Sequence, residues 1–271
     1  MALLQDVKAL YRYREVVVNL ASADLKLRYR RSALGYAWSL LYPLLTLAIM
    51  AIVFTKVMAL QDARGAGETR VGEMRNYVLY VFAGFLPWNF LVNGFWGAGA
   101  SIVNNESILR KIYLPKLIFP VSVTLARFLD FLCNLIALFV IISFVSYRPS
   151  WAIVTLPFAI LILLVFTAGV TIALSAINVY VRDTSHLVTV LMQLGFYLTP
   201  IIYPISIVGS YQKYFLLNPF THIIRLFQAI LWQGAFPTAD EWQIAGALAC
   251  GALVIGYAIF ARLERNLIFR L

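Results

Sequence analysis

The sequence predicts an all-α integral membrane protein. It has six transmembrane helices, an N-terminal amphipathic interfacial helix and short re-entrant helices before the last span. Composition is the first observation behind this. Of 271 residues, 62% are hydrophobic and 13% charged, and the mean hydropathy is +0.83; soluble domains carry about 25% charged and roughly 45–50% apolar residues. A water-soluble globule of this length has no room to bury so much apolar surface. The second observation is order along the chain: the uncharged residues come in long runs, and the basic residues flank them. Disorder is excluded by the apolar content, and a disulfide-stapled scaffold by the presence of only two cysteines. The formal charge of +10 is then a topology signal facing anionic lipid, not a nucleic-acid surface.

A helix needs about 20 mainly apolar residues to cross the hydrocarbon core. Uncharged runs cover residues 32–55, 76–105, 131–147, 149–181, 187–212 and 242–261. The third extends back through Ile118 if Arg127 and Asp130 are accommodated within it. These are six spans, centred near residues 47, 88, 133, 165, 196 and 252. Residues 205–240 are apolar too, but Lys213, Asn218-Pro219, Arg225 and Gly234 interrupt them. That pattern reads as a pair of short re-entrant or interfacial helices; a full seventh span would move the C-terminus to the other side. With six spans the termini share one side, which carries fourteen Lys and Arg against seven opposite. The positive-inside rule makes that side the cytoplasm. The chain divides into a cytoplasmic segment at 1–36 with the interfacial helix, a six-span domain at 37–262 with its re-entrant region at about 205–235, and a cytoplasmic tail at 263–271. The long N-terminus of mixed charge does not read as a cleavable signal peptide.

Several segments are not simple spans. In the N-terminus, Leu3, Leu4, Val7, Leu10 and Tyr11 recur at helical spacing. SADLKLRYRR (residues 22–31) then sets Lys26, Arg28, Tyr29, Arg30 and Arg31 beside Leu25 and Leu27. This is a basic amphipathic helix lying in the membrane interface, or else the charged flank of the first span. The loop SIVNNESILRKIYLPKLIFP (residues 101–120) offers Asn104, Asn105 or Ser107 as a helix cap, with Glu106 near the positive helix end. Pro115 and Pro120 stop that helix. A short helix too polar to span suits docking of another protein; the alternative is an ordinary connecting loop.

Arg127 and Asp130, three residues apart, share a helical face. An ion pair inside the membrane either contacts substrate or holds helices together, and the pattern favours the second. Arg182, Asp183 and His186 form a polar turn after the fourth span, with too few ligands for a metal. YLTPIIYP (residues 197–204) and KYFLLNPF (residues 213–220) put Pro200, Pro204 and Pro219 near the outer face, where they break the helical run. Their aromatics read first as an interfacial belt and second as a surface for sugar rings.

Catalytic motifs are missing from the sequence. With no Gly-Lys dipeptide there is no phosphate-binding P-loop, and neither a Gly-x-Ser-x-Gly elbow nor His-Glu-x-x-His occurs. Cys133 and Cys250 both fall inside spans. No metal and no cofactor are expected on this chain, and it has no means of its own to hydrolyse a nucleotide.

Five segments together carry a resemblance. DLKLRYRRSALGYAWSLLYPL (residues 24–44), the loop at 105–120, NVYVRDTSH (residues 178–186), QLGFYLTPIIYP (residues 193–204) and LNPFTHIIRLFQAIL (residues 217–231) lie in one order over nearly the whole chain. In this the chain resembles the permease subunits of type-2 ABC polysaccharide exporters, which serve O-antigen, capsule or teichoic acid. The resemblance implies a multi-pass subunit of the bacterial inner membrane, working as a homodimer. Two copies of a separate ABC ATPase, which hold ATP and Mg, would drive it. It implies a coupling helix at 107–115, so that Asn105, Glu106, Ser107, Arg110, Lys111, Tyr113 and Lys116 meet the ATPase. The cargo implied is a polyprenyl-diphosphate-linked polysaccharide in a channel at the dimer interface. Trp38, Tyr42, Phe85, Trp88 and Tyr197 are the candidates to line that channel. The cluster at 26–31 would meet the lipid diphosphate or membrane lipids, since arginine binds phosphate oxygens in pairs. The chain is thus read as a transport subunit. The alternatives are a lipid or drug exporter of the same type, or a membrane enzyme on lipid-linked sugars with Asp183 and His186 as its only close catalytic pair.

Overall fold

The computed structural model describes residues 2–28, 37–38, 41, 45, 49, 69–112, 114–144 and 150–270, and among these there is helix and turn but no strand. Two helices fill the N-terminal segment, α1 (Ala2–Arg12) and α2 (Arg14–Arg28). The long α3 (Thr69–Ser101) leads into a single 3₁₀ turn and the four-residue α4 (Glu106–Leu109). Then come α5 (Ile118–Phe144), α6 (Leu156–Tyr180) and α7 (Thr184–Tyr197). Two short helices follow, α8 (Gln212–Phe215) and α9 (Pro219–Gln228), before α10 (Ala239–Leu263) and a last turn, α11 (Leu267–Arg270). Among the described residues, three stretches are long and apolar enough to cross a membrane: Ile118–Val140, Trp151–Tyr180 and Ala239–Leu263. The first predicted span lies almost wholly outside the described residues.

One expectation is corrected. The run at 187–212 does not form one helix: α7 has 14 residues, about 21 Å of rise, and ends at Tyr197. The reason is local. Pro200 and Pro204 have no N–H to continue the ladder, and the turn they form is bonded from elsewhere. The Tyr80 hydroxyl of α3 lies 2.7 Å from the carbonyl oxygens of both Pro200 and Tyr203, and Gln228 Nε2 of α9 donates to Pro200 O at 2.9 Å. Irregular backbone inside a membrane protein persists only with such partners. Where two short helices are expected before the last span, residues 205–215 form 3₁₀ turns broken at Gly209 (φ 55°) and then α8, and residues 219–233 form α9 with a π turn at its end. The second starts on Asn218, whose side chain accepts from Phe220 N–H, and ends at Gly234 in the left-handed conformation, φ 63°.

Apolar surface alone gives helices little reason to associate in lipid, so close packing and hydrogen bonds hold them together. The principal pair is α6 with α10, which cross backbone to backbone at Gly169 and Gly256. A Cβ built on Gly256 would lie 1.9 Å from Gly169 O, and one on Gly169 would lie 2.4 Å from Leu253 N. Polar side chains bond the other helices to this pair. Thr124 and Thr171 hydroxyls meet at 2.9 Å between α5 and α6. Asn178 Nδ2 of α6 donates to Gly99 O of α3 at 2.6 Å, and Ser185 Oγ of α7 donates to Asn178 Oδ1 at 2.9 Å. At the centre, Phe220 of α9 puts its ring 5.5 Å from Trp88, 6.3 Å from Phe95 and 5.9 Å from Phe166.

Gly256→Ala is expected to cost at least about 2 kcal/mol, because overpacked methyls force backbone shifts. Gly251→Ala on the same helix meets nothing within 4 Å and should lie between neutral and about 1 kcal/mol stabilising. Thermal unfolding of the two variants in one detergent checks this; equal melting temperatures would rule out the backbone contact as a determinant of stability.

Candidate functional site

Helix directions give the bundle two ends. At one end, called here the loop end, lie the C-termini of α3, α6 and α10 and the N-termini of α5 and α7. Residues 102–112 and 114–117 lie at this end. The loop is anchored from beneath: Ile102 is fully buried and Leu109 nearly so, in an apolar cluster with Phe119, Ile172, Val179 and Phe260. Its outer face is polar and open, with Asn104, Ser107, Arg110 and Lys111 exposed and Ile112 58% exposed among them. Glu106 and Arg110 pair at 2.7 Å one turn apart on this face, a surface pair worth about 0.3–0.5 kcal/mol. Asn105 precedes α4, but its side chain does not cap that helix. It donates backward instead, Nδ2 to Ser101 O at 2.8 Å, closing the end of α3. Tyr113 lies outside the described residues.

Behind the loop a polar network joins segments far apart in sequence. Lys116 Nζ donates to Glu264 O at the end of α10. Tyr180 Oη donates to Leu263 O at 2.9 Å, and Tyr257 Oη donates to Asp6 Oδ2 of α1 at 2.6 Å. Burial pushes the Glu264 carboxyl above its ordinary range and the Lys116 ammonium below its own, each opposed by the charge of the other. None of these partners was evident in the sequence, because each lies more than 80 residues away.

The pair Arg127–Asp130 is present at 3.7 Å, and it has a third member: Asp24 of α2 lies 3.5 Å from Arg127. The cluster therefore joins α2 to α5 as a structural contact. Arg127 Nε is buried with no hydrogen-bond acceptor, beside Gly97 of α3, where a Cβ would come within 3.3 Å of it. A signal for Asp24 existed. Val17, Ala21 and Leu25 form the buried stripe of α2, and a carboxylate next to that stripe needs a cation. Lys26 is exposed; the Arg28 side chain and Tyr29, Arg30 and Arg31 lie outside the described residues.

Arg182, Asp183 and His186 are all exposed at the start of α7, near the loop. Asp183 makes no side-chain cap, and no group of His, Cys, Asp or Glu among the described residues is arranged to hold a metal. The aromatic candidates divide. Tyr197 is 61% exposed, at the end of the apolar face of α7 formed by Leu187, Val190, Leu191 and Leu194. Trp38 and Phe85 are half-buried, and Tyr42 lies outside the described residues. Trp88 is 3% exposed and packs against Phe196 and Phe220 inside the bundle. It supports the wall behind α7 and offers no surface to a channel.

Residues 15–232 match the ABC-2 type transporter family. The chain is 30% identical over 261 residues to the O-antigen export system permease protein RfbA of Myxococcus xanthus, covering 95% of this chain and 96% of that one. To a protein of the same name from Klebsiella pneumoniae it is 27% identical, over 92% of both.

Two outcomes follow from this geometry. Arg127→Met leaves two carboxylates on one packed face and should cost about 3 kcal/mol, with faster proteolysis across α2; adding Asp24→Asn and Asp130→Asn should restore most of it. Unchanged melting and protease resistance in the single variant would show that the cluster bears no weight. The raised Glu264 means that the folded state holds this proton more tightly than the unfolded one. Its contribution is therefore full below the ordinary 4.5 and lost as pH rises through the raised value. Glu264→Gln should accordingly raise the melting temperature at pH 7 and leave it near wild type at pH 4.

Proposed function

Since the chain belongs to the ABC-2 type transporter family, we propose that it is the transmembrane subunit of an ATP-driven polysaccharide exporter. Its cargo is of the O-antigen kind, and hydrolysis belongs to a separate ATPase subunit. The observation that carries this is end-to-end similarity to O-antigen export permeases, over 95% of the chain. On this reading the chain is a transport component of the inner membrane, six-spanning, with both termini in the cytoplasm and α1 and α2 in the interface. Two copies form the export path, and each engages one ATPase, which binds ATP and Mg.

The loop end supports the docking half of this reading. Exposed Ser107, Arg110, Lys111 and Ile112 combine charge for steering with one apolar anchor, as interfaces do. Force applied there has a rigid route into the bundle: Leu109 and Ile102 share one packed cluster with α5, α6 and α10. Dense packing makes such a cluster shift as a body. The cargo half draws support from Tyr197 and the half-buried Phe85, whose rings flank Phe196 at 5.5 and 6.5 Å. Aromatics of this kind take the C–H faces of sugars, and a basic segment at 26–31 suits the diphosphate of a polyprenyl carrier.

In nanodiscs the chain alone should show no ATPase activity, and its partner ATPase should co-purify with it and hydrolyse faster with lipid-linked glycan present. Arg110→Glu with Lys111→Glu should lower that association roughly tenfold or more while the melting temperature holds. Deleting the chain should remove the polysaccharide from the cell surface. Full surface glycan in the deletion strain would overturn the reading.

A further inference from the structure

At the end of the bundle opposite the loop, a cavity of about 260 Å³ opens between α3, the proline turn, α9 and the first turn of α10. Its wall carries Tyr80, Arg225, Gln228, Trp232, Gln233 and Glu241. These side chains are held in place by the fold. Arg225 Nη2 donates to Glu241 Oε1 at 2.9 Å, and Glu241 Oε2 accepts the Thr238 N–H at 3.0 Å. Gln228 is tied to Pro200 O, and the Tyr80 ring meets Trp232 edge-on at 4.8 Å and 74°, fixing the indole plane. The ion pair is not sealed: its side chains keep 35% and 21% of their surface.

The chemistry of this wall narrows the occupant. One guanidinium and one carboxylate at hydrogen-bond distance cancel, so an anion entering would meet Glu241 and a cation Arg225. An acyl chain would strand several polar heads without water, at a cost for each. A ligand that both donates and accepts from neighbouring hydroxyls, and that has an apolar face for the indole, satisfies every group. The volume lies below the roughly 300–1,000 Å³ of sites for drug-sized ligands, which leaves room for a single small ring. α9 is already anchored by buried Ile223, Ile224, Leu226 and Phe227, so bracing it does not require an open ion pair. We infer that this cavity is a subsite for one uncharged pyranose ring of the exported glycan, an inference that rests on the polysaccharide-export reading above.

The test uses the full chain in nanodiscs and saturation-transfer NMR. The probes are methyl glucoside, methyl galactoside and methyl mannoside, with methyl glucuronide as the anionic comparison. Wild type should pass saturation to at least one neutral glycoside in preference to the glucuronide. Glu241→Gln keeps an acceptor for the helix cap, since glutamine fills the same place in a capping box. It leaves the Arg225 charge uncompensated, so neutral binding should fall roughly tenfold and the glucuronide should gain. Trp232→Phe should weaken all the glycosides, with melting temperatures in parallel to show that both variants fold. No transfer to any glycoside, transfer unchanged in both variants, or a wild-type preference for the glucuronide would each overturn the subsite. Export assayed in cells separates the two claims. Export that depends on this chain without glycoside binding defeats the subsite and leaves the exporter standing. Glycoside binding at the cavity with export independent of the chain defeats the exporter reading and leaves a sugar site.

Discussion

The backbone contact between α6 and α10 at Gly169 and Gly256 is the constraint on which the rest of the bundle depends. Lipid tails solvate leucine as well as another helix does, so the two helices gain from meeting only where dispersion is dense. Two glycines allow the main chains to touch, and the contact sets where the ends of both helices fall. With α6 and α10 in register, Tyr180 reaches Leu263 O and Lys116 reaches Glu264 O. The polar network under the loop is thus a consequence of a crossing well over a helical turn away from it.

The second organising fact is that the bundle contains broken helices and satisfies them internally. A run that stops at Tyr197 leaves backbone groups that neither lipid nor its own helix can satisfy. Tyr80 and Gln228 supply the donors for the turn. Thereby α3 and α9 converge on one point, and the cavity at that end lies beside it with its polar wall already oriented. One helix, α3, carries Tyr80 near this cavity and leads at its other end into the loop. Like α10, which carries Glu241 at the cavity and Phe260 under the loop, it reaches from the proposed ATPase contact to the proposed sugar contact.

Much of this was legible in the sequence because it is written locally. Apolar runs of spanning length, prolines at 200, 204 and 219, and the interruption by Asn218 and Gly234 each act on their own stretch of chain. They anticipate α5, α6, α10 and the two short helices with little error. Even the ion pair at Arg127 and Asp130 follows from helical spacing alone. What went wrong was also local in kind. By residue type Asn105 is one of three candidate caps, with Asn104 and Ser107, but the 3₁₀ turn before α4 directs its side chain back to Ser101 O. The resemblance offers Trp88 as a channel-lining candidate, but an aromatic on that span does not say which face of α3 meets α7 and α9, and Trp88 is buried there.

The sequence by itself determined the solvent of this protein, the long apolar helices α5, α6 and α10 and their order, the family and the polar loop between α3 and α5. Only the tertiary structure decided that Asp24 completes the Arg127 cluster, that Asp6 meets Tyr257, that Gly169 faces Gly256, and that Arg225, Glu241 and Trp232 enclose one cavity. The physical reason is one of range. Periodicity, helix breaking and charge bias act over a few residues of chain, whereas these partners come together only when several helices have settled their rotations and depths against one another. That settlement depends on contacts of a few ångströms, which no single segment encodes.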